Sequence, residues 1–169
     1  PLGAALSAIG PAGLAAGAAL VVLSVGLVTA LSHASEAEQS FNRLQAVLRA
    51  TGNTTGLSGK QIVAFADEIE SSTLATAEQV QDAAGVLATF GSVAGENFTR
   101  TLRLAQDMSA VFGQDLRSSV TQLGKALENP AEGLTALRRV GILFTDSQKD
   151  LIQSLVDTGK QAEAQKFIL

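Results

Sequence analysis

At three points where an apolar stripe of helical spacing begins, a hydroxyl residue stands three places ahead of a glutamine: Ser58 before Gln61, Thr76 before Gln79, Thr145 before Gln148. At the start of a helix that spacing lets the hydroxyl accept the glutamine's backbone N–H while the glutamine side chain reaches back to the cap residue's own N–H. Each pair therefore marks a helix start. Behind the starts, apolar residues recur at helical spacing: Ile62, Phe65, Ala66 and Ile69; then Val80, Ala83, Ala84, Leu87 and Phe90; then Leu151, Ile152, Leu155 and Val156. Gly91, Gly113, Gly141 and Gly159 follow such stretches as natural stops. Between them, Phe98, Leu102, Ala105, Met108 and Phe112 predict a helix from about Glu96 to Phe112, and Leu116, Val120, Leu123 and Leu127 predict the next. Asn129 is placed to cap a short helix with Pro130 in its first turn, burying Leu134, Leu137 and Val140, and a last helix starts near Lys160. No stretch alternates at period two for long enough to suggest a strand. The expected fold is all-α, with helices of two to five turns that are stable only when their apolar stripes pack together.

The first 35 residues are of another kind. They carry no formal charge, and the run Gly13–His33 would form a helix about 31 Å long at roughly 1.5 Å per residue, close to the hydrocarbon thickness of a bilayer. Leu20, Val21, Val22, Leu23, Val25, Gly26, Leu27, Val28 and Leu31 supply its apolar bulk. Gly13 and Gly17 form a GxxxG, the small-residue spacing that lets helix backbones approach closely. A signal peptide would want a basic start, which is missing here. Ser32-His33-Ala34 nevertheless passes as a cleavage site, so that reading stays open beside two others: a core helix shielded by copies of itself or by a surrounding shell, and a segment that enters a membrane at some stage. The last two can both hold for one protein at different times. Past Glu36, Phe41, Leu44, Val47 and Leu48 carry the helical pattern on to about Arg49, and the Gly- and Asn-containing stretch from Thr51 to Gly56 breaks it. The expected organisation is a long apolar to amphipathic helix over 1–50, a linker over 51–57 and a compact helical module over 58–169. Because the sequence starts at Pro1 and stops within a helical pattern, it reads as a piece of a longer polypeptide.

Chemistry is scarce in this composition. With no cysteine and a single histidine, His33, no thiolate site, histidine metal cluster or catalytic triad can be assembled, so catalytic residues, cofactors and metal ligands are expected to be none. His33 at the end of the apolar run reads as an interfacial residue. The carboxylates Asp67, Glu68, Glu70 and Asp82 fall on polar helix faces, the place of solvated surface groups. The glycines of Gly91-Ser92-Val93-Ala94-Gly95 lack the lysine and the preceding strand of a phosphate loop. Leu134–Leu155 has the outline of a helix-turn-helix, but after Arg138 and Arg139 its second helix offers Asp146 and Asp150 against Lys149, a poor surface for DNA. A net charge of −4 argues in the same direction.

The last third carries a specific resemblance. The stretch ALENPAEGLTALRRVGILFTDSQKDLIQSLVDTGKQAEAQKFIL (Ala126–Leu169) resembles a block of the tail length tape measure proteins of long-tailed bacteriophages and prophages. The pattern is carried by Ala126, Leu127, Asn129, Pro130, Gly133, Ala136, Leu137, Arg138, Gly141, Phe144, Thr145 and Gln148. It continues through Ile152, Leu155, Gly159, Ala164, Gln165, Ile168 and Leu169. Upstream, Leu48-Arg49-Ala50-Thr51-Gly52, Ala88-Thr89-Phe90-Gly91 and the apolar run are similar to that family as well. The resemblance implies a non-enzymatic structural component of a phage tail. Such proteins lie in several copies in the tail tube lumen, set tail length during assembly in the host cytoplasm, and are ejected to help DNA cross the host inner membrane. Implied partners are copies of the chain itself, the tail tube protein, tail tip or baseplate proteins, and the host membrane or periplasm after ejection, with DNA passing but not specifically bound. A reading of another class is a membrane-inserting, pore-forming helical protein unrelated to tails. A measuring rod should be continuous helix, whereas 58–169 is interrupted every fifteen residues or so. This part is therefore expected to be a folded module beside a membrane-active helix.

Overall fold

The computed structural model describes residues 36–139 and 141–169, and the run Gly13–His33 with its GxxxG and apolar positions (Gly13 to Leu31) lies outside them, as does Val140. Ser40–Leu169 make up the second of two compact units, the first being Pro1–Gln39. Among the described residues the fold is all-α, without strands. Helix α1 covers 36–50 in its described part. It is followed by α2 (Gly59–Ser72), α3 (Ala77–Leu87), α4 (Gly95–Phe112), α5 (Leu116–Glu128), α6 (Pro130–Arg138), α7 (Asp146–Asp157) and α8 (Gln161–Ile168). None of the described helices is long and apolar enough to cross a membrane.

All three hydroxyl–glutamine pairs form reciprocal capping boxes, at the starts of α2, α3 and α7. Helix α5 is capped differently: the Asp115 carboxylate accepts from the Ser118 backbone N–H at 2.9 Å and from its hydroxyl at 2.6 Å. At the other end of α4, Gly113 takes a left-handed conformation (φ 65°) that a side chain would strain, and the helix stops there.

Helix α5 lies at the middle of the packing, against α3, α4 and α6, while α7 and α8 pack on each other and on α6. One core runs through the unit, with Ile62, Ala66, Val80, Leu87, Phe98, Leu102, Val120, Leu123, Leu127, Leu137 and Ile152 all buried. Leu44 and Leu48 of α1 belong to it too, and the Thr55 carbonyl accepts from the Gly95 N–H at 2.8 Å. The compact unit thus takes in the end of α1 and the turn 51–57 along with the expected module 58–169.

Four local expectations are corrected. The stripe of the third helix ends at Leu87, not Phe90; the Phe90 ring instead lies over Gly124 of α5, where an added Cβ would come within 2.5 Å of it. Phe112, expected on the inward face of α4, is 50% exposed at the last residue of the helix, where Val111 is exposed as well. Leu151 is 44% exposed, since α7 has partners on the side of Ile152 and shows Leu151 to solvent. Asn129 precedes Pro130 as expected, but its side chain makes no capping bond. Its backbone carbonyl receives the Gly133 N–H at 2.7 Å and the Glu132 N–H at 3.1 Å instead.

Candidate functional site: the carboxy-terminal helix block

The residues that carry the resemblance come together as a packing arrangement. At its centre α5 and α6 touch through their backbones: a Cβ on Gly133 would collide with the Cα and carbonyl of Ala126. A glycine is needed there because no side chain can retreat to make room. Pro130 and Leu137 are buried on the same short helix, while Arg138 is exposed. After Arg138 the chain reverses. The Gly141 N–H donates to the Arg138 carbonyl and the Ile142 N–H to the Leu137 carbonyl, both at 3.1 Å. Phe144 then packs half-buried against the core, and Thr145 with Gln148 starts α7.

Beneath this block lies a buried polar junction. Gln165, 1% exposed, sits on the inward face of α8 between Ala164 and Ile168. Its Nε2 donates to the Leu127 carbonyl and to the Ser92 carbonyl, each at 3.0 Å, and its Oε1 accepts from Asn97 Nδ2 at 3.2 Å. Asn97 Nδ2 also donates to the Ala162 carbonyl at 3.0 Å. One turn earlier Gln161 Nε2 donates to the Glu128 carbonyl at 2.8 Å, and the Ser92 hydroxyl donates to the Glu128 carboxylate at 3.1 Å. The last carbonyls of a helix have no partner within it, so two glutamines of α8 satisfy the C-terminal end of α5 while α4 and the loop before it join the same junction. Of the side chains that bond in this junction only that of Gln165 is among the sequence-predicted positions. Ser92, Asn97, Glu128 and Gln161 were missed, although Asn97 and Gln165 carried a signal: each is a polar residue at a core position of an apolar stripe.

Its chemical repertoire is amide donors already bound to carbonyls and a hydroxyl bound to one carboxylate. It fastens helices together. Asp67, Glu68, Glu70 and Asp82 are exposed as expected. Glu68 pairs with Arg103 at 2.9 Å, Asp82 lies 3.9 Å from Arg43, and Glu70 accepts from the Ala77 N–H at the start of α3 at 3.2 Å. Among the described residues no group of three or more His, Asp or Glu is placed to hold a metal ion. In the helix-turn-helix outline, Lys149 is engaged by Asp146 at 2.8 Å, which holds the Asp146 carboxyl below its ordinary range through that hydrogen bond and charge.

A family model described as "Prophage tail length tape measure protein" matches residues 2–153, which spans the apolar run and most of the helical unit. No curated protein and no solved structure matches the chain.

Proposed function

The chain belongs to the prophage tail length tape measure protein family, a structural class of phage tail proteins, and on that premise we propose that Ser40–Leu169 is a folded module of the tape measure rather than part of its measuring rod. One observation carries this reading. Residues 92, 97, 127 and 165, far apart in sequence, meet in a single buried junction. A chain that measures length must convert residues into distance at roughly 1.5 Å each. A folded unit of this size has a radius of gyration of only about 14 Å, so its residues add little to a ruler.

The rest of the protein's work follows the family. The tape measure occupies the tail tube lumen with copies of itself, meets the tube protein and the tail tip or baseplate, and sets tail length during assembly. On infection it leaves ahead of the DNA, which passes without being specifically bound. The charge-free run Gly13–His33 is the part suited to that last step: an apolar helix with a Gly13/Gly17 contact face can bundle with its copies in the tube and later enter the host inner membrane. The family match favours this tail reading over an unrelated pore-forming protein.

The test is an in-frame deletion of 58–169 in the phage gene, with tail length measured by electron microscopy beside infectivity. Were these residues ruler, tails would shorten by roughly 170 Å and remain otherwise functional. The folded-module reading expects lost assembly or infectivity with a much smaller change in length. Strictly proportional shortening with normal infectivity would overturn it.

A further inference from the structure

The unit shows two exposed apolar faces of opposite charge, and neither shares a lining residue with the other. The first is a groove of about 520 Å³ between the α2–α3 turn, the end of α4 and the start of α5. Leu74, fully exposed, stands at its edge with Ala110 and Leu116. Asp82, Asp107 and Asp115 line this groove against one cation, Arg117. The second face surrounds the α6–α7 turn. Leu143 projects from it, 72% exposed, beside Ile142 and Phe144. Arg138 lines it with Asp150 and with Lys149, which Asp146 engages at 2.8 Å, and Arg139 is exposed next to Arg138, so the excess positive charge is that of the two arginines. Large apolar side chains this exposed at both places, ringed by opposite charge in a chain of net charge −4, are the makings of a contact between copies.

We propose that the acid-lined groove at Leu74 of one copy receives the basic Leu143 turn of a second copy. The contact joins two different surfaces, so it is heterologous where it runs head to tail, and it can repeat from copy to copy. It rests on these two faces alone and stands or falls apart from the tail assignment and from any association through the apolar run.

The absence of cysteine makes the test direct. Two versions of the 169-residue chain are prepared, one with Leu74→Cys and one with Leu143→Cys, mixed, and treated with a short bis-maleimide. The mixed 74–143 product should exceed the sum of the two homotypic products, which is all that random pairing gives, and should also exceed that of an exposed control, Lys60→Cys, paired with either. Reversing one charge on one side, Asp107→Lys in the first copy or Arg139→Glu in the second, should each lower the yield roughly three-fold, in the range of exposed ion pairs turned from attraction to repulsion. Combining the two reversals on opposite copies should restore it, and circular dichroism confirms that the variants fold. A mixed yield no greater than the sum of the two homotypic yields would overturn the proposal. Yields indifferent to both reversals would also overturn it, and would point to association through the apolar run.

Discussion

Gly133→Ala is the sharpest perturbation the structure offers. On an exposed helix the change stabilises, because alanine is about 1 kcal/mol better than glycine in a helix interior. Here the new methyl would lie 2.7 Å from the Ala126 carbonyl carbon and closer still to its Cα and oxygen, where carbon contacts are optimal at about 3.5–4.0 Å. Both sides of the clash are main chain, so relief requires α5 and α6 to separate by roughly 1 Å. That loosens the buried Leu127, Leu134 and Leu137, which belong to these two helices. Overpacking of this kind costs about 1–3 kcal/mol, and occasionally more. A clash with main chain on both sides falls at the upper end of that range, so against the propensity gain the expected net loss is about 2 kcal/mol, or about 7 °C in Tm for a unit of this size. Gly85→Ala is the internal control. It lies within α3, and an added Cβ there meets nothing within 4 Å, so it should raise stability by up to about 1 kcal/mol. Thermal and urea unfolding of the 169-residue chain, followed by circular dichroism, measures both. Gly133→Ala as stable as the parent would refute the claim that the helices touch through their backbones. If both substitutions moved stability in the same direction, the reasoning from space would fail altogether.

Replacing Gln165 by leucine keeps its bulk but withdraws donors from the Leu127 and Ser92 carbonyls, so a loss of about 2–3 kcal/mol is expected, read from the urea midpoint, with faster amide exchange concentrated in α8. Thr145→Ala removes one capping box and should cost about 1 kcal/mol, whereas Asn129→Ala, at a position whose side chain makes no capping bond, should cost less by the same assay. Asp115 gives a pH dependence. Its hydrogen bonds from Ser118 hold its carboxyl below the ordinary 3.8. A depressed folded-state pKa contributes stability that is present above 3.8 and is lost as pH falls through the lower folded value. Asp115→Asn, which keeps a cap acceptor, should flatten the acid limb of a stability-versus-pH curve below about pH 4, and an unchanged limb would count against the cap.

Helix starts and stops were legible because they are local chemistry. Ser58, Thr76 and Thr145 satisfy orphan N–H groups within their own first turns, and no distant residue has to agree. Burial was less legible, since it depends on which side of a helix finds a neighbour: Phe112 and Leu151 obey the helical period and still face solvent. The junction was the least legible part. Gln165 gains its meaning only from the free carbonyls at the end of α5, some forty residues earlier, and from Asn97 still further back; periodicity encodes neither. The same reasoning explains why the block reads as a family signature without containing a catalytic group. Gly133 permits a backbone contact, Pro130 opens a helix that begins where the last one ends, and Gln165 closes the carbonyls that this abrupt junction leaves open. Each is a solution to folding eight helices back on themselves at short range, the opposite of what a ruler needs. On the reading proposed above, such a block spends residues on something other than length, and its basic Leu143 turn, together with the acid-lined groove that the α2–α3 turn, α3, α4 and α5 form elsewhere in the unit, gives that reading a physical form: a folded body equipped to grip its own copies.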